Sequence, residues 1–362
     1  MLKQTPFHDL HTALGAKMVE FADFEMPVQY TGIIEEHHAV RLAVGVFDVT
    51  HMGEFFVRGK GALEFLQHVT INDVARLKPG RVQYSAMCYE DGGIIDDLLI
   101  YRLENYYMLV VNASNLQKDF DWLLSRKSGD VELENVSTAT ALLAVQGPKS
   151  LAALQKLTSE DLSKIEYYSF TQGTLAGVPM VISRTGYTGE LGFELYFDSH
   201  TETTKKIWHA VFDAGKEWSI RPVGLGARDT LRLEMGYCLY GNDIDSTTNP
   251  LEAGLGWITK LSKKEFVGRA ALLKARDEGL KRKLVGFTLP ERTVARHGND
   301  LLKNGAVVGH VTSGTFSPSL KRGIGMGYVS IECAEAGTIV AVNIRGKEVP
   351  ATIVKVPFLQ NH

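Results

Sequence analysis

The sequence predicts a mixed protein of helices and antiparallel strands, followed by a small all-β domain. Three observations support this fold class. Apolar residues alternate along short segments that are separated by glycine turns, which is typical of antiparallel strands. Helical spacing of apolar residues recurs between these segments. After about residue 270 the helical pattern gives way to short strands with glycine turns, and glycine accounts for 35 of the 362 residues.

The first 270 residues alternate between the two kinds of element. Capping residues and apolar spacing predict helices at 5–15, 31–45, 61–68, 114–125, 201–218 and 224–236, with another starting at 147. Alternation predicts strands that begin at 46 or cover 55–59, 82–89, 94–103, 106–111, 141–145, 178–184 and 192–197. The strands between 82 and 111 follow one another through tight turns, which predicts an antiparallel meander.

The C-terminal region predicts a small barrel or sandwich. Its expected strands cover 283–289, 309–313, 325–329, 338–344 and 349–356. Charged residues cluster at 274–283, which indicates a linker or a surface helix before the first of these strands.

Two adjacent carboxylates lie on the middle strand of the meander. Asp96 and Asp97 follow the Gly92-Gly93 turn, and the period of two sends them to opposite, otherwise apolar faces. A carboxylate among apolar neighbours is costly unless it is paired or used in chemistry. Local pattern alone favours a solvated strand end for one of them, whereas a central strand position favours burial, and the local pattern does not choose between the two aspartates.

Composition excludes several classes of protein. The net charge of −3 and the pI of about 6.4 argue against a duplex nucleic-acid binder. No apolar run approaches the ~20 residues of a membrane span. The N-terminus lacks a targeting pattern, and three scattered cysteines fit neither a disulfide framework nor a thiolate zinc site, so a reducing cytosol is expected.

Sites of other common types are not expected. The glycine pairs at 224–226 and 323–325 lack the context of a dinucleotide loop, and no serine or cysteine nucleophile motif occurs. No metal site is expected either, because the histidines lack a third ligand at metal spacing. They are expected at the surface or at helix caps: His8, His11, His37 and His38.

Candidate functional residues lie in or near turns that contain glycine. Their side chains are carboxylates, aromatic rings, an amide, a thioether and a guanidinium group. They are Met52, Tyr84, Asp97, Asn112, Tyr168, Tyr187, Glu194 and Arg228. Taken singly, each also fits a structural role, and Glu194 could be an exposed strand residue, opposite in direction to Phe193, Leu195 and Phe197.

Six motifs in order resemble one family. They are VTHMGE (49–54), GGIIDDL (92–98), RTGYTGE (184–190), ARDTLRLE (227–234), LYGNDID (239–245) and TSGTFSP (312–318). Together they resemble the T-protein family of the glycine cleavage system, which are tetrahydrofolate-dependent aminomethyltransferases. The resemblance covers essentially the whole chain.

The resemblance implies a fold and an activity. The fold is α+β, with two interleaved folate-binding domains of antiparallel sheet and helix in residues 1–270 and a small β-barrel domain in residues 280–362. The implied reaction moves the methylene of an aminomethyl group from the lipoylated carrier H-protein to tetrahydrofolate, giving 5,10-methylenetetrahydrofolate and ammonia. No nucleic acid, membrane or metal is implied.

The family's site residues carry over position by position. The resemblance selects Asp97 as the catalytic carboxylate, which would stabilise developing positive charge or remove a proton, and leaves Asp96 in a structural or supporting role. It assigns the pterin edge to Glu194, with Arg228 beside that carboxylate. Wall positions of the folate site are then Met52, Tyr84, Val110, Asn112, Tyr168 and Tyr187.

Two departures and two alternatives accompany this assignment. Tyr84 matches a position that is often leucine, and some relatives continue beyond the region of residues 357–362 to a tyrosine that helps to bind folate. A non-catalytic folate-binding relative usually carries a cysteine motif that is not found here. A folate domain of a flavin-dependent oxidase would bring a dinucleotide module.

Basic residues that could contact an acidic carrier protein are Lys260, Lys263, Lys264 and Arg269.

Overall fold

The computed structural model describes residues 2–290 and 292–359. The chain forms two compact units that alternate along the sequence. The first unit comprises the chain up to Phe65, Val74 to Tyr84 and Leu98 to Asp229, and the second comprises Leu66 to Asp73, Ser85 to Asp97 and the chain from Thr230. The domain limits at 270 and 280 stay a prediction.

The strands cover the predicted segments and add several that the sequence pattern missed. In chain order the described strands are β1 (Lys17–Phe21), β2 (Phe24–Gln29), β3 (Gly45–Asp48), β4 (Gly53–Arg58), β5 (Arg81–Cys88), β6 (Ile94–Arg102), β7 (Tyr107–Val111), β8 (Glu132–Asn135), β9 (Thr140–Gln146), β10 (Phe170–Leu175), β11 (Val178–Ser183), β12 (Gly192–Asp198), β13 (Arg221–Pro222), β14 (Arg282–Thr288), β15 (Asp300–Lys303), β16 (Ala306–Ser317), β17 (Arg322–Ser330), β18 (Ile339–Ile344) and β19 (Lys347–Val354).

The helices lie where the spacing predicts them, within a few residues at each end. They are α1 (His8–Ala13), α2 (Ile33–Leu42), α3 (Ala62–Val69), α4 (Leu116–Arg126), α5 (Ser150–Gln155), α6 (Thr201–Gly215), α7 (Leu225–Glu234) and α8 (Arg269–Glu278). The first half of the charged segment at 274–283 is the exposed end of a surface helix, α8, and its last two residues begin β14.

A sheet in the order β10-β11-β12-β9-β3-β13 lies in the first unit. Its core face packs against α1 and α6 through Phe7, Trp208 and Ile207. As predicted for β12, Phe193, Leu195 and Phe197 all belong to this core. Glu194 and Tyr196 therefore point to the opposite face, because side chains alternate along a strand.

The predicted meander is confirmed in a sheet with the order β5-β6-β7-β4-β8. On one of its faces Phe55 of β4 packs against Phe120 of α4, with ring centres 5.1 Å apart. The helix therefore covers that face.

The second unit contains the predicted barrel. Its strands close in the order β14-β17-β16-β15-β18-β19, and its core is aliphatic apart from Phe287 and Cys333. The α+β class with a C-terminal barrel is thereby confirmed. The domain is a barrel and not a sandwich, because β14 pairs with β19 and closes the sheet, with Gly286 opposite Val354 and Thr288 opposite Thr352.

The expected surface position of the histidines is wrong for two of them. His11 and His37 are fully buried. His11 lies 2.9 Å from Asp48 through Nε2 and 2.9 Å from the Tyr30 hydroxyl through Nδ1. Burial opposes ionisation of Asp48, but hydrogen bonds from His11, Thr5 and Thr50 outweigh it and lower its pKa. His11 is tolerated in the core because these polar partners satisfy both of its ring nitrogens.

Residues 2–290 and 292–359 contain no helix with the length and apolar composition that a membrane crossing needs. Within the same residues no cluster of three or more His, Cys, Asp or Glu side chains could hold a metal ion.

Candidate active site

A chain of hydroxyl groups holds the carboxylate of Glu194 in the first unit. Oε2 of Glu194 accepts a hydrogen bond from Thr185 Oγ1 and another, at 3.4 Å, from the Tyr196 hydroxyl. The Tyr101 hydroxyl lies 2.9 Å from that of Tyr196 and 3.1 Å from Thr185 Oγ1. Each hydroxyl can donate once and still accept, so the chain fixes the carboxylate in one orientation.

The environment of Glu194 sets two opposing influences on its charge. Burial raises the pKa of Glu194 above its usual value, because it outweighs the hydrogen bonds from Thr185 and Tyr196 and the charge of Arg228, which act in the opposite direction. The side chain is only partly buried. It therefore combines fixed geometry with access for a ligand, which is the condition for recognising a group with parallel N–H donors.

Arg228 and Tyr187 form the neighbouring wall. The Arg228 guanidinium carbon lies 4.6 Å from the centre of the Tyr187 ring, a cation–π distance. Arg228 also acts on His51, which is 1% exposed. Burial, together with this positive charge, lowers the pKa of His51 to about 3, against an opposing influence of Asp48. His51 is thus neutral near pH 7.

A buried carboxylate places the start of the helix that carries Arg228. Oε1 of Glu36 accepts bonds from the backbone N–H groups of Tyr30, Thr31 and Gly32, and Oε2 accepts one from Gly224 N at 2.8 Å. Gly224 is required there, since a Cβ would lie 2.4 Å from the backbone of Val28. The sequence pattern missed Glu36, because its partner lies 188 residues away.

The loop that carries Tyr187 is fixed from two sides. The Gln146 amide donates to the Thr185 carbonyl, and its oxygen accepts from Thr188 Oγ1 at 3.0 Å. Arg41 of α2 donates to the Thr188 carbonyl and to Glu190. The RTGYTGE motif is therefore a rigid turn, with Thr185 positioned to bond Glu194.

Other predicted wall residues lie in the first unit as well. Tyr168 has a positive φ of 58°, an uncommon backbone state for a non-glycine residue that occurs often at functional sites. Its carbonyl accepts from Val82 N, two residues before Tyr84. Val110 is buried, whereas the side chains that keep partial exposure are Met52, Tyr84, Asn112, Tyr168 and Tyr187.

Asp96 and Asp97 differ in exposure. Asp96 is fully buried, whereas Asp97 is only partly buried, in the last residues of the segment that belongs to the second unit. Asp97 also acts on Cys238: burial, Asp243 and Asp97 raise the pKa of that thiol well above its usual value. Cys238 is therefore a neutral thiol and a poor nucleophile.

The turn before Asp97 is held by the 240–248 segment of the second unit. Ile94 N donates to the carbonyls of Asp245 and Thr248, and the Tyr240 hydroxyl donates to Ile94 O at 3.1 Å. A Cβ at Gly93 would lie 2.1 Å from the Ser246 carbonyl. The DGG turn is therefore a packing requirement that fixes where the strand with Asp97 begins.

Several residues in the motifs that carry the resemblance have a structural role. Arg232 is 1% exposed and donates to Asp243 at 2.6 Å and to Ser313 at 2.9 Å. Glu234 accepts bonds from the backbone N–H and the hydroxyl of Ser319. These bonds join residues of three motifs within the second unit, and they explain Arg232, Asp243 and Ser313 without a ligand.

One candidate for a carrier-binding surface is wrong. Lys263 is 8% exposed, and its ammonium donates to the carbonyls of Thr70 at 2.6 Å and Asn72 at 2.8 Å. It is a structural residue because its ammonium group already donates to two backbone carbonyls of the same unit. Lys264 is exposed, and Lys260 and Arg269 are partly exposed. Of the C-terminal segment 357–362, residues 360–362 lie outside the described residues.

Comparison with known families places both parts of the chain. Residues 7–263 match the model of the GCVT N-terminal domain, and residues 282–360 match that of the glycine cleavage T-protein C-terminal barrel domain. The second match agrees with the closed barrel described above.

Individual relatives match over their full length. An aminomethyltransferase of Bacteroides thetaiotaomicron is 57% identical, and the alignment covers 99% of each chain. An aminomethyltransferase of Halothermothrix orenii is 53% identical over 99% of this chain and all of the relative. The crystal structure of glycine cleavage system aminomethyltransferase T from Bartonella henselae superposes with a TM-score of 0.92 at 36% identity, covering 99% of this chain and 98% of the other.

Proposed function

The chain belongs to the glycine cleavage T-protein family and is an aminomethyltransferase, and we propose that its donor is the lipoylated H-protein and its acceptor tetrahydrofolate. In the proposed reaction, the C–S bond to the lipoyl arm and the C–N bond to the amino group break. Two bonds form from the same carbon to N5 and N10 of the folate. Their two protons leave with the thiol and the ammonia, so that 5,10-methylenetetrahydrofolate, ammonia and the dihydrolipoyl carrier result.

The fixed carboxylate of Glu194 is the observation that carries the proposal for the acceptor. A pterin edge presents parallel N–H donors, and a carboxylate accepts both of them when its orientation is set beforehand. The hydroxyls of Thr185 and Tyr196 set that orientation. Tyr187, with Arg228 over its ring, offers a flat surface that suits a heterocycle.

The remaining predicted wall residues keep their proposed roles. We assign Met52, Tyr84, Val110, Asn112 and Tyr168 to contacts with the folate. Partial exposure of four of these side chains supports the assignment, because a ligand can reach them.

We assign the catalytic role to Asp97 rather than to Asp96. Positive charge develops on the transferred carbon as its bonds to sulfur and nitrogen break, and a carboxylate stabilises that charge or accepts a proton from the acceptor nitrogen. The partial exposure of Asp97 supports this choice, whereas the full burial of Asp96 suits a structural role.

Partner and compartment complete the proposal. Lys260, Lys264 and Arg269 remain candidates for contact with an acidic carrier protein. Cys88, Cys238 and Cys333 are free thiols, which supports a reducing compartment such as the cytoplasm.

Ammonia release from aminomethylated H-protein tests the function. The protein should release ammonia in amounts that depend on tetrahydrofolate, with 5,10-methylenetetrahydrofolate as the second product. Release at an equal rate without folate, or no release with both substrates present, would contradict the proposed acceptor or donor. A protein that binds tetrahydrofolate but releases no ammonia would be the non-catalytic relative.

A further inference from the structure

The side chain of Glu54, on β4, has no part in the site described above. It is fully buried, and within the described residues neither of its carboxyl oxygens has a hydrogen-bond partner. Its backbone, by contrast, is satisfied, since Glu54 N donates to Ser137 Oγ at 2.9 Å. A buried polar group without a partner destabilises the fold. Such a group therefore calls for a functional explanation.

The strand register shows which way Glu54 faces. Glu54 lies directly opposite Val110 of β7, and Val110 lies opposite Leu99 of β6. Residues that are directly opposite share one face of a sheet. Leu99 also shares its face with Tyr101, two residues further along β6. Glu54 and Tyr101 consequently lie on the same face, opposite to the one that α4 covers.

The Tyr101 hydroxyl identifies what this face meets. It bonds to the hydroxyls of Tyr196 and Thr185, the two residues that hold Glu194. The face with Glu54 is thus turned towards the face of β12 with Glu194 and Tyr196. The Glu54 carboxyl is close enough to act on Glu194 and Tyr196 electrostatically.

The two carboxyl groups differ in what supports their charge. Glu194 has two hydroxyl donors and Arg228. Burial, and then the charge of Glu194, raise the pKa of Glu54 well above its usual value. Two carboxyl groups that act on each other electrostatically favour a state with one anion and one neutral acid. Glu194 is the better placed of the two to carry the negative charge, because it has hydroxyl donors and a nearby cation, whereas neither carboxyl oxygen of Glu54 has a hydrogen-bond partner within the described residues.

We propose that Glu54 is a second ligand-reading group of the pterin site, which it contacts as a neutral carboxylic acid. Its O–H donates to an acceptor atom of the heterocycle, while its carbonyl oxygen accepts from a donor. Glu194 recognises N–H donors only, so Glu54 adds selectivity for a heterocycle that also presents an acceptor. The inference rests on the proposed folate site at Glu194.

Two substitutions at one position test this assignment, with tetrahydrofolate affinity and thermal unfolding measured for each. Glu54→Gln keeps a neutral donor and acceptor, and its affinity should stay within about threefold of the wild type. Glu54→Met removes both, and affinity should fall about tenfold. The methionine variant should nevertheless unfold at an equal or higher temperature, because an apolar group replaces an unpartnered polar one.

The opposite pattern marks a purely structural role. A Glu54→Met protein that loses stability but binds tetrahydrofolate within about twofold of the wild type would overturn the inference, because the lost polar group has then no effect on the ligand. An equally large loss of affinity in Glu54→Gln would also overturn it, because a neutral donor is present there.

An infrared difference spectrum between wild type and Glu54→Gln gives a readout that needs no methionine variant. It should contain the C=O band of a protonated carboxylic acid, and tetrahydrofolate should shift that band. A band that is absent or does not move would overturn the inference.

Glu194→Gln separates failure of the proposed function from failure of the proposed role of Glu54. If the wild type does not bind tetrahydrofolate, the proposed function fails. If Glu194→Gln weakens binding and the Glu54 variants do not, only the role of Glu54 fails.

Discussion

The guanidinium carbon of Arg228 lies 4.6 Å from the centre of the Tyr187 ring. Burial raises the pKa of Glu194, and the charge of Arg228 opposes that rise, so that one cation contacts an aromatic ring and also acts on a carboxylate. Both surroundings are rigid, since Gln146 and Arg41 hold the Tyr187 loop and a carboxylate holds the start of α7. The site is therefore arranged before a ligand arrives, which lowers the cost of ordering on binding.

Glu194→Ala should weaken tetrahydrofolate binding before it affects anything else. The substitution removes the acceptor that two hydroxyl groups orient, and a charged hydrogen bond contributes about 1.5–3 kcal/mol, which corresponds to roughly 10- to 150-fold in affinity. Equilibrium binding measures the change. Glu202→Ala, at an exposed position on α6, is the matched control. Unchanged affinity in Glu194→Ala would remove this residue from the pterin site.

Asp97→Asn and Asp96→Asn should have different effects. The partly exposed Asp97 is expected to affect the rate, which should fall by roughly 100-fold in single-turnover ammonia release, with little change in thermal stability. The fully buried Asp96 should affect stability first. A near-normal rate in Asp97→Asn, or a larger rate loss in Asp96→Asn, would show that the roles are assigned to the wrong residues.

Acid should destabilise the protein through His51. Its pKa is about 3 in the folded state against 6.5 in the unfolded chain, so between these values only the unfolded state binds the proton. The free energy of unfolding is therefore intact above pH 6.5 and falls as the pH decreases towards 3. The 3.5-unit difference corresponds to at most about 5 kcal/mol.

Denaturant unfolding of wild type and His51→Gln at several pH values measures this term. The stability difference between them should shrink as the pH falls, because the variant has no proton to bind at this position. His200→Gln, at an exposed position, serves as the control. A difference that stays constant from pH 7 to pH 4 would contradict the expected titration of His51.

Lys263 should make stability rise with alkaline pH. Burial lowers its pKa to about 8, with Asp73 opposing the shift, whereas the unfolded value is 10.5. Between these values the unfolded state holds a proton that the folded state has released, so the free energy of unfolding increases with pH. The full term is at most about 3 kcal/mol, from 2.5 units at 1.36 kcal/mol each.

The comparison for Lys263 uses Lys263→Met, with the exposed neighbour Lys264→Met as control. The stability of the wild type relative to Lys263→Met should increase from pH 8 to pH 10.5. Subtracting the two curves removes the titration of tyrosines, which both proteins share. A flat difference would mean that Lys263 remains an ammonium ion in the fold.

Local patterns predict those parts of this protein whose causes are local. The alternation in β12 correctly separates Phe193 from Glu194, and glycine spacing finds the barrel strands. The position of Glu194 and Tyr196 on one face already suggests a hydrogen bond between them. Neither the pattern nor the resemblance identifies Thr185 as the second donor to Glu194. Residues whose role depends on distant partners could not be found in this way. The Glu54 side chain, for instance, belongs to a strand whose neighbours are apolar, and its environment comes from another sheet.

The same limit explains the errors for His11 and Lys263. His11 is buried because Asp48 and Tyr30 bond to it, and Lys263 is buried because two carbonyls accept from it. In both cases the sequence shows a polar residue in a polar segment, which favours the surface. Only the tertiary structure supplies the partners that make burial tolerable.

The Glu36 carboxylate has a consequence for biosynthesis. The chain leaves the ribosome from its N-terminal end, so Glu36 and its turn are made long before Gly224, which follows 188 residues later. The hydrogen bond to Glu36 Oε2 can form only after Gly224 has been synthesised. Because this bond places the start of α7, the helix cannot be oriented earlier. Nascent chains that stop short of this point should therefore lack ligand affinity, whatever the state of their sheets, and a folate-binding assay on arrested ribosome complexes would detect the step.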